Sequence, residues 1–155
     1  ILRLSGYGDF KKCLSLAKTA IISGAALKAF ENTVASQGGD ISLIKNTNNF
    51  KKAKYSRAVC AEKEGYVTLV DAEKYGLAAL NLGAGRNKAV DKIDYTAGLY
   101  INKKVGDHIR AGDKILTLFA NDESLFDYSE NLILNATVIS DLKPEIKPIV
   151  IKTIE

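Results

Sequence analysis

The chain has 155 residues, 46% of them hydrophobic and 26% charged, with a formal net charge of +4. That composition excludes wholesale disorder and leaves room for one ordinary domain, or for one domain plus part of another. No apolar run approaches the roughly 18 residues that span a bilayer, and no secretory leader is visible, so a soluble cytoplasmic protein is expected.

Residues 9–22 read as a helix. Asp9 suits the N-cap, and Phe10, Cys13, Leu14, Ala17, Ala20 and Ile21 recur at spacings of three and four. Ser23-Gly24 breaks the pattern. A second helix follows with Leu27, Phe30 and Val34 on one side, and Gln37-Gly38-Gly39 supplies a left-handed stop. Two such helices cannot bury both stripes against each other, so further partners are expected. The chain has no methionine and starts at Ile1, which fits a piece of a longer protein.

Residues 41–57 read as a polar, basic connector, with Ile41 to Ile44 as a brief extended piece and turn chemistry at Asn46 to Asn49. The predicted division places residues 1–52 in a first part and 53–155 in a second, entered by an extended strand from Ala58 to Glu64. In that second part a strand at Tyr66 to Val70 leads to a helix over about Asp71 to Leu82, with Asp71 as its cap. Strand patterns return at Leu99 to Ile101 and Ile115 to Phe119, with Val105-Gly106-Asp107 and Ala111-Gly112-Asp113 bracketing a tight reversal between them. Leu125 to Leu134 reads as an amphipathic helix. After Pro144 and Pro148, Ile149 to Ile154 alternates like a terminal edge strand docked on the sheet. The order of elements defines an α+β fold.

Charge is unevenly spread: residues 1–60 carry ten Lys or Arg against three Asp or Glu. Lys45, Lys51, Lys52, Lys54 and Arg57, with Phe50 and Tyr55, form the sharpest basic cluster, but no nucleic-acid motif accompanies it, and a solvated surface is the better reading. Cys13 and Cys60 lack metal or disulfide spacing and read as reduced thiols. His108, the only histidine, reads as an exposed turn residue. Asp91 with Asp94, and Asp107 with Asp113, read as turn and surface acids. No nucleophile elbow and no metal-ligand cluster occurs, so no complete catalytic site is expected.

Leu82-Gly83-Ala84-Gly85-Arg86, followed by the charged segment Asn87 to Asp94, is the one stretch with a functional pattern. Backbone N–H groups here, aided by Arg86 and Lys88, could cradle a phosphate. The glycines end a helix, however, where the dipole disfavours anions, so a helix-ending hinge is the preferred reading.

Several motifs together carry a resemblance. Gly65-Tyr66-Val67, Tyr75-Gly76-Leu77-Ala78, Leu82-Gly83-Ala84-Gly85-Arg86, Ile93-Asp94, Ala97-Gly98-Leu99 and Lys104-Val105-Gly106-Asp107 resemble the C-terminal domain of pyrimidine-nucleoside and thymidine phosphorylases. Ser23 to Phe30 and Ala35 to Asp40 resemble the last helices of the upstream α/β domain of the same enzymes. The resemblance implies an α/β-hammerhead arrangement preceded by the end of that α/β domain. It also implies reversible phosphorolysis of thymidine or uridine by the full-length protein, with phosphate as co-substrate, no further cofactor, and a homodimer built through N-terminal helices. Thymidine, uridine and AMP relatives stay open, because base-reading residues would lie upstream.

In that family a Lys-His-Ser-Thr-Gly-Gly loop holds phosphate and a Ser, an Arg and a Lys hold the pyrimidine. None of these motifs occurs in residues 1–155. No catalytic or substrate-binding residue is therefore expected in this chain, which alone is expected to be inactive and, without the dimer helices, monomeric. What the resemblance implies is a domain-closure loop at Gly83, Gly85, Arg86 and Lys88. The strand-turn-strand around Gly106 and Gly112 also looks like biotinyl and lipoyl carrier modules, the alternative reading, although Lys103-Lys104 precedes the wrong turn.

Overall fold

Three helix starts in this protein coincide with Asp side chains that satisfy otherwise unpaired amides. In the computed structural model, which describes residues 1–86 and 88–152, the Asp9 carboxylate accepts a hydrogen bond from Lys12 N at 2.8 Å, and helix α1 runs Phe10–Ile22. Helix α2 runs Ala25–Ser36 and closes at Gly38, whose φ of +77° lies where a side chain would be strained. Asp40 then accepts from Ser42 N at 2.8 Å and starts α3, Ile41–Lys45. The expected extended piece at Ile41 to Ile44 is thus helical, and a 3₁₀ turn follows at Thr47–Asn49. The local Asx cap decides the outcome over the β-branched residues.

The chain divides into two compact units, residues 1–50 and 51–155. The first holds α1 to α3, and Cys13 is its one buried residue among those described. Phe10, Ile21, Ile22, Leu27 and Phe30 are all exposed.

The second unit contains two three-stranded antiparallel sheets with strand orders β1-β5-β3 and β4-β2-β6. The strands are β1 (Tyr55–Cys60), β2 (Gly65–Val70), β3 (Gly98–Ile101), β4 (His108–Ile109), β5 (Lys114–Ala120) and β6 (Thr137–Ser140). Between them lie helices α4 (Ala72–Ala79) and α5 (Phe126–Ala136). Strand β1 begins three residues before the expected Ala58, because Tyr55 pairs with Ala120 of β5. The core is built from Val59, Val67, Leu82, Ile109, Ile115, Leu116, Leu118 and Ile133, each at most 1% exposed, with Tyr75 and Phe126 beside them.

The expected reversal between β3 and β5 is more elaborate than a hairpin. The chain leaves the first sheet after β3, contributes β4 to the second sheet, and returns as β5. Two Gly-Asp turns make the crossing, and they repeat each other. Asp107 accepts from Lys104 N at 2.8 Å, and Asp113 accepts from Arg110 N at 3.0 Å. Gly106 N donates to Val67 O and Gly112 N to Ala61 O, each at 2.8 Å. The amides of Val67 and Ala61 donate back to Asp107 O and Asp113 O at 3.0 and 2.9 Å. Both carboxylates are therefore turn caps, as their spacing suggested.

His108 lies in β4 rather than in a turn. Its Nε2 is 3.5 Å from Glu64 Oε1, and its ring meets Tyr66 edge to face at 4.9 Å. Residues 149–152 form no strand, and residues 153–155, which complete the expected edge strand, lie outside those described. The partner of the β2 edge is β6, unremarked in the sequence pattern, which pairs Tyr66 with Ser140 and Val70 with Thr137.

Candidate functional site

The glycine loop leaves the C-terminal end of α4. Asp71 caps that helix by accepting from Glu73 N and Lys74 N at 3.1 and 3.2 Å. The helix ends in a π-helical turn, Leu80–Ala84, a widened turn that the sequence pattern had merged with the helix. Such turns recur at functional positions because they redirect the backbone without ending its hydrogen bonding.

Two fixtures hold the turn. On one side Asn81 Nδ2 donates to Leu125 O at 3.0 Å and to Ser129 Oγ at 2.9 Å, while the fully buried Ser129 hydroxyl donates to Ala78 O at 3.3 Å. Buried Leu82 anchors the same turn in the core. On the other side Gly83 O accepts from Asp94 N at 2.9 Å. Gly83 itself has φ +107° and ψ 0°, so the reversal at this point requires a residue without Cβ.

The two glycines differ in role. Gly85 is extended, with φ −142°, a conformation open to any residue. A Cβ there would lie 2.6 Å from Leu80 Cδ1, a close approach to the movable end of a side chain.

Beyond the turn the chain is exposed at Arg86 and Lys88. Arg86 makes no ion pair among the described residues. Lys88 N donates to Asp91 Oδ2 at 2.8 Å and Asp91 N donates to Lys88 O at 3.0 Å, which closes a small turn. Asn87 lies outside the described residues. Of the four sequence-predicted positions, the structure thus places Gly83 in the fixed base, Gly85 at its edge, and Arg86 and Lys88 on the open segment.

Asp94 is the carboxylate that organises the far end. It accepts from Thr96 Oγ1 at 2.7 Å, from Thr96 N at 2.9 Å and from Asn121 Nδ2 at 2.7 Å. These bonds, the Thr96 hydroxyl first, hold its pKa below the ordinary 3.8. The Asp94-x-Thr96 spacing is the signal of a local Asx turn, but the contribution of Asn121 could not be read from it.

The basic cluster is partly consumed inside the second unit. Arg57 Nη1 reaches Asp127 Oδ1 at 2.6 Å and Glu130 Oε2 at 3.1 Å, with its guanidinium 5.0 Å from the Phe126 ring. The hydrogen bond that Arg57 donates to Asp127 is the main cause that raises the Arg57 pKa. Lys54 lies over the Tyr55 ring at 4.7 Å. Nothing favours the carrier reading, since Lys103 is drawn down onto His108 O at 3.2 Å instead of standing at a hairpin tip.

Among the described residues no group of three or more His, Cys, Asp and Glu side chains could hold a metal, and no single helix is long and apolar enough to cross a membrane. What the geometry defines is an α+β domain with a glycine-reversed loop, fixed at its base and cationic on its open side.

That description matches a known family. Residues 66–140, just under half of the chain, match the pyrimidine nucleoside phosphorylase C-terminal domain. The chain is 38% identical over 121 residues to the pyrimidine-nucleoside phosphorylase of Staphylococcus epidermidis, covering 78% of this chain and 28% of that protein. It is 35% identical over 123 residues to that of Geobacillus stearothermophilus, covering 79% and 28%, and 37% identical over 119 residues to that of Staphylococcus aureus, covering 77% and 28%. The chain therefore spans well under a third of the length of these relatives.

Proposed function

We propose that this chain is the C-terminal part of a pyrimidine-nucleoside phosphorylase, a pentosyltransferase, and that it contributes domain closure while the catalytic groups stand on an upstream α/β domain. The observation that carries the reading is the match over residues 66–140, a span that contains a glycine loop with a fixed base and exposed Arg86 and Lys88.

In phosphorolysis a phosphate oxygen forms a bond to the sugar C1 as the bond from C1 to the base nitrogen breaks, leaving free base and pentose 1-phosphate. Positive charge develops at the sugar, so water must be excluded and the anion oriented. A cationic segment that closes over the substrates meets both needs without reacting with them. Phosphate is the co-substrate and no further cofactor is required.

The first unit fits the end of the upstream domain. Its helices expose Phe10, Ile21, Ile22, Leu27 and Phe30, surface that a larger α/β body would cover. The full-length enzyme is a cytoplasmic homodimer on this reading, acting on pyrimidine nucleosides in salvage, while the 155-residue chain alone is inactive.

Kinetics of the full-length enzyme test the reading. Arg86→Ala should lower kcat roughly tenfold with little change in the KM for nucleoside, the pattern of an interaction made on closing. Unchanged phosphorolysis in that variant would remove the closure role.

A further inference from the structure

Just past the division between the two units, the chain is tied to the side chain of Asn121. The units divide between residues 50 and 51, and the β1–β5 ladder starts with Tyr55 opposite Ala120. Just before the ladder, Lys54 N donates to Asn121 Oδ1 at 2.8 Å. On its other side Asn121 Nδ2 donates to Asp94 Oδ2 at 2.7 Å and to Thr96 Oγ1 at 2.9 Å. Asp94 N in turn holds Gly83 O at 2.9 Å.

The chemistry of the partners fixes the orientation of the amide. A backbone N–H can only donate, so the atom facing Lys54 is the oxygen, and the two hydrogens of Nδ2 fall to the Asp94 carboxylate and the Thr96 hydroxyl. The Thr96 hydroxyl donates its own hydrogen bond to Asp94 Oδ1 at 2.7 Å. Every donor in this circuit has an acceptor, and the circuit joins Lys54 and Asn121 to the Asp94–Thr96 turn, three places that no local pattern connects.

We propose that Asn121 is a positioning residue that couples the start of the second unit to the base of the glycine loop, so that displacement of residues 51–54 is felt at Gly83. This rests on the closure reading above and adds to it the route by which closure is communicated. Lys54 and Asn121 are exposed, and exposed hydrogen bonds contribute little to global stability. Their arrangement therefore serves geometry more than stability, and breaking it leaves a folded chain.

Hydrogen exchange on the 155-residue chain tests the coupling directly. The probe is the Asp94 amide, which is bonded to Gly83 O, and the variants are Asn121→Ala and Lys54→Pro, the second of which removes the donor without touching the loop. Both should speed Asp94 exchange by about threefold or more while the β5 amides of Leu116 and Leu118 keep their rates. An unchanged Asp94 rate in Lys54→Pro overturns the coupling, as does a uniform acceleration of all amides. In the full-length enzyme Asn121→Ala should lower kcat by about threefold or more with the KM for phosphate held within about twofold, and a normal kcat overturns the positioning role. The exchange result stands or falls independently of phosphorolysis, so failure of the coupling and failure of the enzymatic reading are separable.

Discussion

The two units of this chain are built by different means. The first, residues 1–50, consists of helices, two of them started by the Asp9 and Asp40 caps, that bury a single described side chain, Cys13. The second, residues 51–155, gathers fourteen buried hydrophobic residues into one core from strands and helices far apart in sequence. Local hydrogen bonding can specify where a helix begins, but it cannot supply the apolar burial that makes a fold stable. The first unit has the local signals without the burial, and the second has both.

Core truncation probes this contrast most strongly. Leu118 is fully buried at the centre of β5, the middle strand of its sheet. Leu118→Ala should destabilise the second unit by about 2–5 kcal/mol through lost transfer energy and the cavity left behind, read as a fall in the denaturant midpoint by circular dichroism. A change under about 1 kcal/mol would contradict a tightly packed second unit.

The glycine loop gives the next effect. Gly83→Ala forces a side chain into φ +107° and should cost about 1–2 kcal/mol, measured as a lower Tm. Gly85→Ala should cost less, because the backbone there is extended and only Leu80 Cδ1 must move. Equal losses would mean that the reversal at Gly83 is not where the strain lies.

Acid should loosen the second unit at Asp94. Its folded pKa is depressed below 3.8, chiefly by the Thr96 hydroxyl, so its stabilisation is fully present above the unfolded value and is lost as pH falls through the folded one. The Tm difference between the unmodified chain and Asp94→Asn should accordingly be largest near neutral pH and close below about pH 3.8. A difference that persists unchanged at lower pH would exclude the carboxylate as its source.

The smallest effect belongs to the first unit. Phe10→Ser, at a position 69% exposed, should shift the stability of the isolated chain by no more than about 0.5 kcal/mol. A loss comparable to that of Leu118→Ala would show that this face is covered.

Legibility followed the range of the interactions. Helices α1, α2 and α4 were readable because Asp9, Gly38 and Asp71 act within four residues of themselves. The strands β2, β3 and β5 were readable from their apolar runs. Helix α3 reads as extended from sequence because its Ile residues favour strands, but the Asp40 cap outweighs them. Strand β6 was missed because Thr137–Ser140 becomes a strand only on meeting β2, some 70 residues earlier in the chain. The loop positions Gly83, Gly85, Arg86 and Lys88 were found from glycine spacing and resemblance, while Asn121, an ordinary turn residue by pattern, was not.

By itself the sequence determined the α+β class, the caps, the glycine reversal after α4 and the family match of residues 66–140, since these depend on residue types at fixed short spacings. Only the tertiary structure decided how the chain crosses between two sheets through the paired Gly-Asp turns. It also decided that Arg57 is spent on Asp127 and Glu130, and that Lys54, Asn121 and Asp94 form one circuit. The physical reason is that a hydrogen bond or ion pair is settled by where its partner lies, and in each case that partner is brought near by the packing of the core rather than by the residues beside it.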